Sequence, residues 1–445
     1  MFKTIKNAFK IPDLRRRIWF TLFMLIIFRF GAHIPVPYLD PSAMQAFLGN
    51  GGMDLFSMFD VFTGGAFSNA TVMAMGVSPY INASIIVQLL TVAIPALERM
   101  SKEGLEGRKK LNKITRYLGI VLAFVQGSGL YVTLHNMAIQ NNITTIQNEG
   151  WLSYIVIVLT FTAGTAFIVW LGELITEKGL GNGVSMIIYA GIVSRIPSGA
   201  VAIYRQYLAS GVISLKGVII SVAILIVAVL AITLVVLFNT AERKIPVQYA
   251  KRVVGRKMYG GQSTNIPIKV VMGGVMPIIF ASSIMAFPAT IVRLVTGGNL
   301  PSTGIWRDIL GCLSAGLSPK AWTYIVYAVL YFLLIIFFTY FYSAIQFNPI
   351  ELANNMKKSG GYIPGYRPGK PTSDFISKVS TRLNFAGAIF LGIIAVLPIV
   401  VGAVFGIQGL QIGGTSLLIM EGVALETVQQ IESQMVMRHY KGFLE

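Results

Sequence analysis

Residues 58–97 read "MFDVFTGGAFSNATVMAMGVSPYINASIIVQLLTVAIPAL", an apolar stretch that is interrupted several times near its start. The glycine pair Gly64–Gly65, the polar run 68–71, and then Gly76 and Pro79 break what hydropathy would otherwise join into one helix. Glycine and proline are the strongest local interruptions of a helical pattern. The stretch therefore places a helix too short to span a bilayer directly before a helix that does span it.

The composition of the whole chain indicates a membrane protein. Hydrophobic residues make up 54% of the 445 residues, charged residues make up 12%, and the mean hydropathy is +0.69, unlike an ordinary soluble domain. A bilayer core about 30 Å thick needs roughly 20 apolar residues per helical span. The candidate spans are residues 18–36, 74–96, 114–135, 152–173, 183–201, 214–238, 269–292, 321–343, 378–403 and 412–432. They predict an all-α protein with ten transmembrane helices, and no long alternating strand pattern indicates a membrane barrel.

The net charge of +18 could indicate nucleic-acid binding, but the positions of the charges favour another explanation. If the N-terminus is cytoplasmic, most of the 36 Lys and Arg residues fall on the cytoplasmic side, in the N-terminal tail and in loops such as 97–113, 239–269 and 344–382. Such a bias is the positive-inside pattern. It predicts that both termini are cytoplasmic, and orientation together with attraction to anionic lipid explains most of the basic residues.

Two basic loops, 239–269 and 346–378, are longer than orientation requires. The second contains "GGYIPGYRPGKP" (360–371), in which prolines and glycines alternate with aromatic and basic residues. Because proline fixes φ and glycine permits positive φ, we expect a shaped turn here instead of a flexible tether. A shaped turn that presents Arg367 beside aromatic rings suits docking to a large cytoplasmic partner, although composition alone favours a role in topology.

Enzymatic chemistry finds little support in the sequence. The three histidines are far apart, and the single Cys312 excludes an intrachain disulfide and a multi-cysteine metal site. The glycine-rich "GLGNGVS" (179–185) lacks the GK[ST] of a phosphate-binding loop. Arg29, the most inward charge, either snorkels to the interface or pairs inside the bundle, and we predict no function for it. We expect no enzymatic activity, no cofactor and no metal site.

The spans divide into two sets of five at the polar link 202–213. Two equal sets with an odd number of spans must face opposite ways, which is the geometry of an inverted repeat. This division predicts an N-terminal half at 1–201, a C-terminal half at 214–432 and a cytoplasmic tail at 433–445. The sequence shows no repeat at the level of single residues, so the symmetry is a structural prediction.

Aliphatic residues with helical spacing stand near the breaks in the spans. They are Val77, Ile81 and Ile85 on the second span, Val184 and Ile188 on the fifth, Ile279 on the seventh and Ile419 on the tenth. Residues four apart share one helix face, so each set forms a short ridge. Apolar ridges in membrane helices usually face lipid or a neighbouring helix, and taken alone these residues favour that role over lining a pore.

The chain resembles the SecY family of protein-translocase channels along essentially its whole length. The stretches that carry the resemblance are "MGVSPYINASIIVQLLT" (75–91), "EGRKKLNKITRY" (106–117), "WLGELITEKGLGNGVSMIIYAGIV" (170–193), "YAKRVVGRKMYGGQSTNIPIKV" (249–270), "GGVMPIIFASSIMAFPATI" (273–291), "NPIELANNMKKSGGYIPGYRPG" (348–369) and "GGTSLLI" (413–419). Several of them lie in polar loops, where chance similarity between membrane helices does not extend.

The resemblance implies an hourglass channel of two inverted five-helix halves that opens sideways into lipid. The segment of about 58–71 would be a plug, a short re-entrant helix in the outer funnel, and irregular backbone is tolerated at membrane depth where it lines an aqueous cavity. The plug candidates are Phe59, Phe62, Gly64, Gly65, Phe67 and Asn69. The family's constriction ring would fall on Val77, Ile81, Val184, Ile188, Ile279 and Ile419.

Contacts with partners are also implied by the resemblance. The lateral gate would lie between spans two and three on one side and spans seven and eight on the other. Its polar candidates are Asn82, Gln126, Ser282 and Ser283, which suit hydrogen bonds between helices as well as contact with a signal sequence. Docking to the SecA motor or the ribosome would use Arg243, Lys251, Arg252, Arg256 and Arg367. Small SecE-like and SecG-like membrane subunits would accompany the chain.

The predicted function is therefore a protein-conducting channel in the bacterial cytoplasmic membrane. It would translocate unfolded preproteins that carry signal sequences and release transmembrane segments laterally into lipid. The alternative is an inverted-repeat secondary transporter of a small solute. A transporter would usually need carboxylates in the middle of its spans, and these are scarce here.

Overall fold

The computed structural model describes most of the chain. The described residues are 7–42, 44–45, 60, 62–141, 146, 150–207, 215–249, 252–254, 257–259, 263–296, 309, 312, 321–405 and 414–441. The helices are α1 (Pro12–Gly31), α2 (Ser78–Ala93), α3 (Pro95–Lys102), α4 (Leu105–Asn141), α5 (Trp151–Lys178), α6 (Gly183–Tyr207), α7 (Leu215–Thr240), α8 (Met276–Thr296), α9 (Ala321–Gln346), α10 (Pro349–Lys358), α11 (Lys370–Phe405) and α12 (Gly414–Lys441). The strands are β1 (Glu242–Tyr249), β2 (Arg252–Val254), β3 (Lys257–Tyr259), β4 (Ser263–Lys269) and β5 (Gly361–Tyr362).

Each of the ten predicted spans overlaps a helix, and of the helices named above α3 and α10 lie between them. Five helical segments of the described residues are long and apolar enough to cross a membrane by length and composition, and a sixth is added if the bent pair of α2 and α3 counts as one span. The chain is thus a helical, multi-pass membrane protein. The arrangement of ten spans in two halves goes beyond these criteria and stays a prediction.

Helices α2 and α3 meet at an angle of 102°. Ile94, which lies between them, has an extended backbone with φ −109° and ψ 114°. The residue before a proline is disfavoured in the helical region, and Pro95 follows directly. The bend therefore has a local cause in the sequence "AIPA" that ends the second predicted span.

Within the short helix predicted for about 58–71, the described residues 60 and 62 are helical and the other described residues are not. Residues 63–70 form consecutive turns, and positions 58, 59 and 61 lie outside the described residues. Gly64 and Gly65 have φ values of 65° and 92°, and Ala70 has a φ of 48°. Positive φ ends a right-handed helix, so the glycine pair that interrupts the sequence also interrupts the helix.

The two long basic loops are joined by a β-sheet that the sequence analysis did not predict. Strand β1 pairs antiparallel with β4 from Glu242↔Lys269 to Gln248↔Ser263, and its end pairs with β5 at Gln248↔Tyr362. The buried residues beneath the sheet come from both loops and from α11, and they are Ile245, Val247, Ile268, Met356, Ile363 and Ile376. Loops 239–269 and 346–378 therefore form one folded unit.

Helices on the two sides of the link 202–213 also pack against each other. Helix α8 contacts α4 and α2, and α12 contacts α6. These contacts bring together the starts of α2, α6, α8 and α12, each of which follows a glycine or contains a proline near its first residue. The candidate site lies at this meeting point.

Candidate functional site

Six aliphatic residues from four helices lie in one apolar cluster, and they are the six that the sequence analysis singled out for a ring. Val77, Ile188, Ile279 and Ile419 are buried, while Ile81 and Val184 are half-buried and pack against them. Two of the four helices, α2 and α6, precede the link 202–213, and the other two, α8 and α12, follow it. We call these six residues the aliphatic ring.

Helix starts place the ring residues. Val77 directly precedes α2, which has Pro79 in its first turn. Val184 lies in the first turn of α6, where the Asn182 side-chain oxygen accepts a hydrogen bond from its backbone nitrogen at 3.1 Å. Ile279 lies one turn into α8 after Pro277, because proline is well tolerated at the start of a helix. The breaks seen in the sequence are thus what bring the ridges together.

The aliphatic ring borders a small, partly open cavity. Its lining residues are Phe62, Thr63, Met75, Val77, Ser78, Ile81, Ile188, Ile279 and Ile419. Five of the ring residues are among them, and Val184 is not. The lining is almost entirely apolar, so it offers few groups that could replace the hydration shell of an ion.

Phe62 and Thr63 show that the turn segment before α2 faces the same cavity. We call residue 60 together with residues 62–71 the plug segment. Most of it is buried, including Gly64, Gly65 and Phe67, but Phe67 packs into a second apolar cluster that contains Leu130 and Phe161. Of the remaining plug candidates, Asn69 donates a hydrogen bond to the Gly65 carbonyl at 2.9 Å, and Phe59 lies outside the described residues.

Two arginines, which the sequence analysis did not place at this site, contact the plug segment. Arg29 of α1 donates a hydrogen bond from Nη1 to the Gly64 carbonyl at 2.7 Å. Arg195 of α6 forms an ion pair with the carboxylate of Asp60 and lies 3.4 Å from Ser68 Oγ. The prediction left open whether Arg29 pairs inside the bundle, and the structure gives it a partner there. A cation in an apolar span was the available signal.

The four polar gate candidates lie on α2, α4 and α8. Asn82, Gln126 and Ser283 are half-buried, and Ser282 is buried. The Ser282 hydroxyl donates a hydrogen bond to the Ile279 carbonyl of its own helix at 2.9 Å, so this contact is within α8 and does not join two helices. Helix α8 packs against both α4 and α2 at this side of the bundle.

Loops 239–269 and 346–378 form the folded unit described above, which we call the sheet unit. The docking candidates that the structure describes lie on it. Arg243 is exposed on β1, opposite Ile268. Arg252 belongs to β2, which pairs with β3 in a separate two-stranded sheet, and Lys251 and Arg256 lie outside the described residues. Arg367 is exposed in the turn after β5. The sheet of β4, β1 and β5 therefore brings Arg243 and Arg367, which are more than a hundred positions apart in the sequence, into one unit.

The turn that carries Arg367 has a defined shape, as the sequence predicted. Gly365 and Gly369 on either side of it have φ values of 86° and 109°. The Arg367 carbonyl accepts a hydrogen bond from Thr372 Oγ1 at 2.7 Å. The ring of Tyr366 packs against Phe375, with ring centroids 4.2 Å apart. Proline, glycine and aromatic packing thus fix the backbone that presents the arginine.

Curated relatives match this chain from end to end. The protein translocase subunit SecY of Streptomyces coelicolor is 45% identical over 452 residues, and both chains are covered in full. The protein translocase subunit SecY of Bacillus subtilis is 45% identical over 448 residues, again with full coverage of both.

Solved structures give the same fold at lower identity. The structure described as a protein conducting channel aligns with a TM-score of 0.70 at 20% identity, covering 97% of each chain. A structure whose description says that the plug domain of the SecY protein stabilises the closed state and maintains a membrane seal aligns with a TM-score of 0.69 at 21% identity, with 97% of each chain covered. Sec61 in a canine ribosome-channel complex from the endoplasmic reticulum aligns with a TM-score of 0.66 at 18% identity, with the same coverage.

These matches do not favour the transporter alternative, since the matched relatives are translocase subunits and the matched structures are channels. A family model described as SecY matches residues 71–428, which include the ring and both basic loops. With most of the chain matched by the family model and all of it by the relatives, the chain belongs to the SecY family.

Proposed function

We propose that the aliphatic ring is the constriction of a protein-conducting channel and that the plug segment seals it in the closed state. Family membership makes the chain a channel subunit of a protein translocase and not an enzyme. The observation that carries the proposal is the cavity that five ring residues share with Phe62 and Thr63. A gated pore requires an apolar constriction and a segment that can cover it, and the aliphatic ring and the plug segment suit these two roles.

An aliphatic collar can stop ions in two ways. It supplies no ligands to replace their hydration, and a narrow apolar constriction favours the loss of water from its interior. The same collar can widen around an unfolded polypeptide, because apolar side chains pack without directional bonds that would have to break. Since α2 and α6 precede the link and α8 and α12 follow it, separation of the halves would widen the ring from both sides.

The side opening of the channel is proposed to lie where α8 faces α4 and α2, with α9 beside α8. A signal sequence or transmembrane segment would leave there for the lipid. The exiting segment would meet the four polar gate candidates, Asn82, Gln126, Ser282 and Ser283. These residues are half-buried or buried in this structure because α8 packs against its neighbours. A small number of polar side chains suits a gate that must bind a signal sequence and then release it.

The sheet unit is proposed as the docking surface for SecA and the ribosome on the cytoplasmic side. One of the structural neighbours is described as part of a ribosome-channel complex, which supports this assignment. The proposal places the chain in the bacterial cytoplasmic membrane with ten spans in two inverted halves and both termini in the cytoplasm. SecE-like and SecG-like subunits and anionic lipid would surround it.

The sealing role can be tested by replacing residues 62–67 with six glycine and serine residues. This change removes Phe62, Thr63 and Phe67 but leaves the chain length and the pairing of Val36 with Ala70, whose backbone atoms are 2.8 Å apart. We expect an inserted protein whose reconstituted vesicles show raised resting conductance to small ions, because the apolar cover of the ring is lost.

Wild-type protein in the same vesicles is the reference, and unfolding in detergent checks that the variant is folded. A variant that inserts and unfolds like the wild type but remains tight to ions would contradict the sealing role.

A further inference from the structure

We infer that Asp60 and Arg195 form a latch that holds the plug segment on α6 in the closed state. The inference rests on the proposed function of the plug segment as a seal, and it concerns what keeps the seal seated. The plug segment touches the rest of the chain in two different ways. On one side, its residues Phe62 and Thr63 line the same apolar cavity as Ile279 and Ile419. On the other side, it makes polar contacts with α1 and α6.

Asp60 has two roles at once. Its Oδ1 accepts a hydrogen bond from the Ser68 backbone nitrogen at 2.7 Å, and its carbonyl accepts one from the Gly65 nitrogen at 2.9 Å. Its other carboxylate oxygen, Oδ2, pairs with Arg195. The same side chain thus closes the turn of the plug segment and fastens that turn to α6, so the turn is attached as a unit.

The burial of the pair makes the latch two-state. The Asp60 side chain is 4% exposed and that of Arg195 is 24% exposed. A carboxylate separated from its partner while still buried is strongly disfavoured. The plug segment therefore has two favourable arrangements, one with Asp60 paired and buried and one with Asp60 separated and hydrated. Hydration of Asp60 requires the segment to leave its place.

The contact between the plug segment and α6 is close at the backbone. A Cβ atom on Gly64 would lie 2.6 Å from Ser194 Oγ and 2.9 Å from the Gly191 Cα, and a Cβ atom on Gly191 would meet the Phe62 carbonyl oxygen. Such an approach leaves little room for water beside the ion pair. It also means that a side chain at Gly64 or Gly191 would not fit while the segment is in this position.

The two arginines that contact the plug segment belong to helices before the link 202–213. Arg29 of α1 holds the Gly64 carbonyl, and Arg195 of α6 holds Asp60. Separation of the halves would remove the apolar contact with Ile279 and Ile419 but would leave the latch intact. The seal would then open fully only when the ion pair also breaks, which adds a second requirement to channel opening.

The test measures resting ion conductance of the complete translocase complex in vesicles for Asp60→Asn, Arg195→Gln and the double variant. Asparagine keeps an oxygen for the Ser68 nitrogen but loses the charge. We expect each single variant to raise resting conductance about tenfold or more, since a buried or half-buried charge is left without its partner. The double variant should conduct no more than the single variants, because no unpaired charge remains. Arg195→Lys keeps the charge and should stay close to the wild type.

Asp40→Asn is the matched control, because Asp40 also closes a local turn, accepting from the Ser42 nitrogen at 2.9 Å, and is not in the latch. It should leave conductance unchanged. A second measurement follows the position of the segment directly, through labelling of Thr63→Cys in a Cys312→Ser background by a membrane-impermeant maleimide. Labelling should be faster when Asp60→Asn is added, and this readout stands even where one of the charge variants proves unstable.

The outcomes separate the latch from the seal. If the glycine and serine replacement of 62–67 leaks while Asp60→Asn and Arg195→Gln behave as the wild type, the plug segment seals and the latch is refuted. If the single variants leak and the double variant shows the product of their two effects, the residues act independently and the latch is again refuted. If an inserted replacement variant stays tight, the proposed seal fails and the latch fails with it.

Discussion

At the scale of single residues, the ring shows what local sequence can and cannot predict. The ridges Val77–Ile81 and Val184–Ile188 follow from helical spacing, and the resemblance to the SecY family assigned them to a constriction. Their meeting with Ile279 and Ile419 depends on packing across the link 202–213, and no local pattern specifies it. The partners of Arg29 and Arg195 could not be predicted for the same reason, because they lie far from the arginines along the chain.

Ile279→Asn tests the ring at a position that is buried and borders the cavity. Asparagine has the same number of side-chain heavy atoms but is smaller and adds a donor and an acceptor, so water should persist in the constriction. Packing between α8 and the other ring helices is also lost, which weakens the closed state. A loss of about 1.4 kcal/mol in the preference for the closed state would raise the open population tenfold. We therefore expect raised resting conductance and export of substrates with defective signal sequences.

Ile284→Asn is the control for this substitution. Ile284 lies on the same helix, is half-buried and packs against a different cluster that contains Phe280 and Phe338. It should leave conductance and signal selectivity near the wild-type values. Wild-type behaviour of Ile279→Asn in both assays would remove Ile279 from the ring.

At the scale of elements, the helices were predicted well and the sheet was missed. The strand β1 reads "ERKIPVQY", in which only Ile245 and Val247 alternate as buried residues, so the pattern is too short and too polar to indicate a strand. Its partner β5 has two residues and lies more than a hundred positions away. The turn after β5 was predictable, since its glycines and prolines determine the backbone locally.

Arg367→Glu tests docking on this turn. Reversal of the charge would oppose like charges at the interface with the motor, which costs several kcal/mol. We expect SecA-driven secretion to fall strongly, by roughly tenfold or more, while ribosome-driven membrane integration suffers less. Both activities are measured with the same membranes.

Lys378→Glu, a reversal at an exposed residue of α11, is the matched control and should change little. An equal fall of secretion and integration in Arg367→Glu would mean that the turn itself is damaged, and the docking role would be wrong.

At the scale of the whole molecule, the predicted bundle of helices agrees with the fold shared with channel structures. Composition and hydropathy were sufficient to place a helix at each predicted span, although several ends differ by more than five residues because α4, α11 and α12 continue beyond the apolar part. The spatial order of the helices was accessible only through the resemblance. Hydropathy shows that a helix is in lipid but does not show which neighbour it contacts.

Co-purification in a mild detergent tests the predicted assembly. Helix α7 exposes apolar residues along its length, including Leu225, Leu230 and Leu237, and a small helical subunit of the SecE type could pack there. Such packing should resist salt, whereas docking of SecA through exposed basic residues should weaken as the Debye length falls from about 10 Å at 0.1 M to about 3 Å at 1 M. We expect the small subunit to remain at high salt and SecA to be lost.

The two salt conditions serve as controls for each other. Absence of a small helical subunit at both salt concentrations, or equal loss of the two partners, would contradict the assignment of apolar and basic contacts.

The sheet of β4, β1 and β5 has a mechanical consequence. Strand β1 continues from α7, β4 leads into α8, and β5 lies between α10 and α11, so the sheet ties together the ends of helices that all follow the link 202–213. A force applied at Arg367 is therefore shared among α7, α8 and α11 and does not bend one of them alone. If a partner docks at Arg367 as proposed, its pull would act on these three helices together and would move them relative to the helices that precede the link.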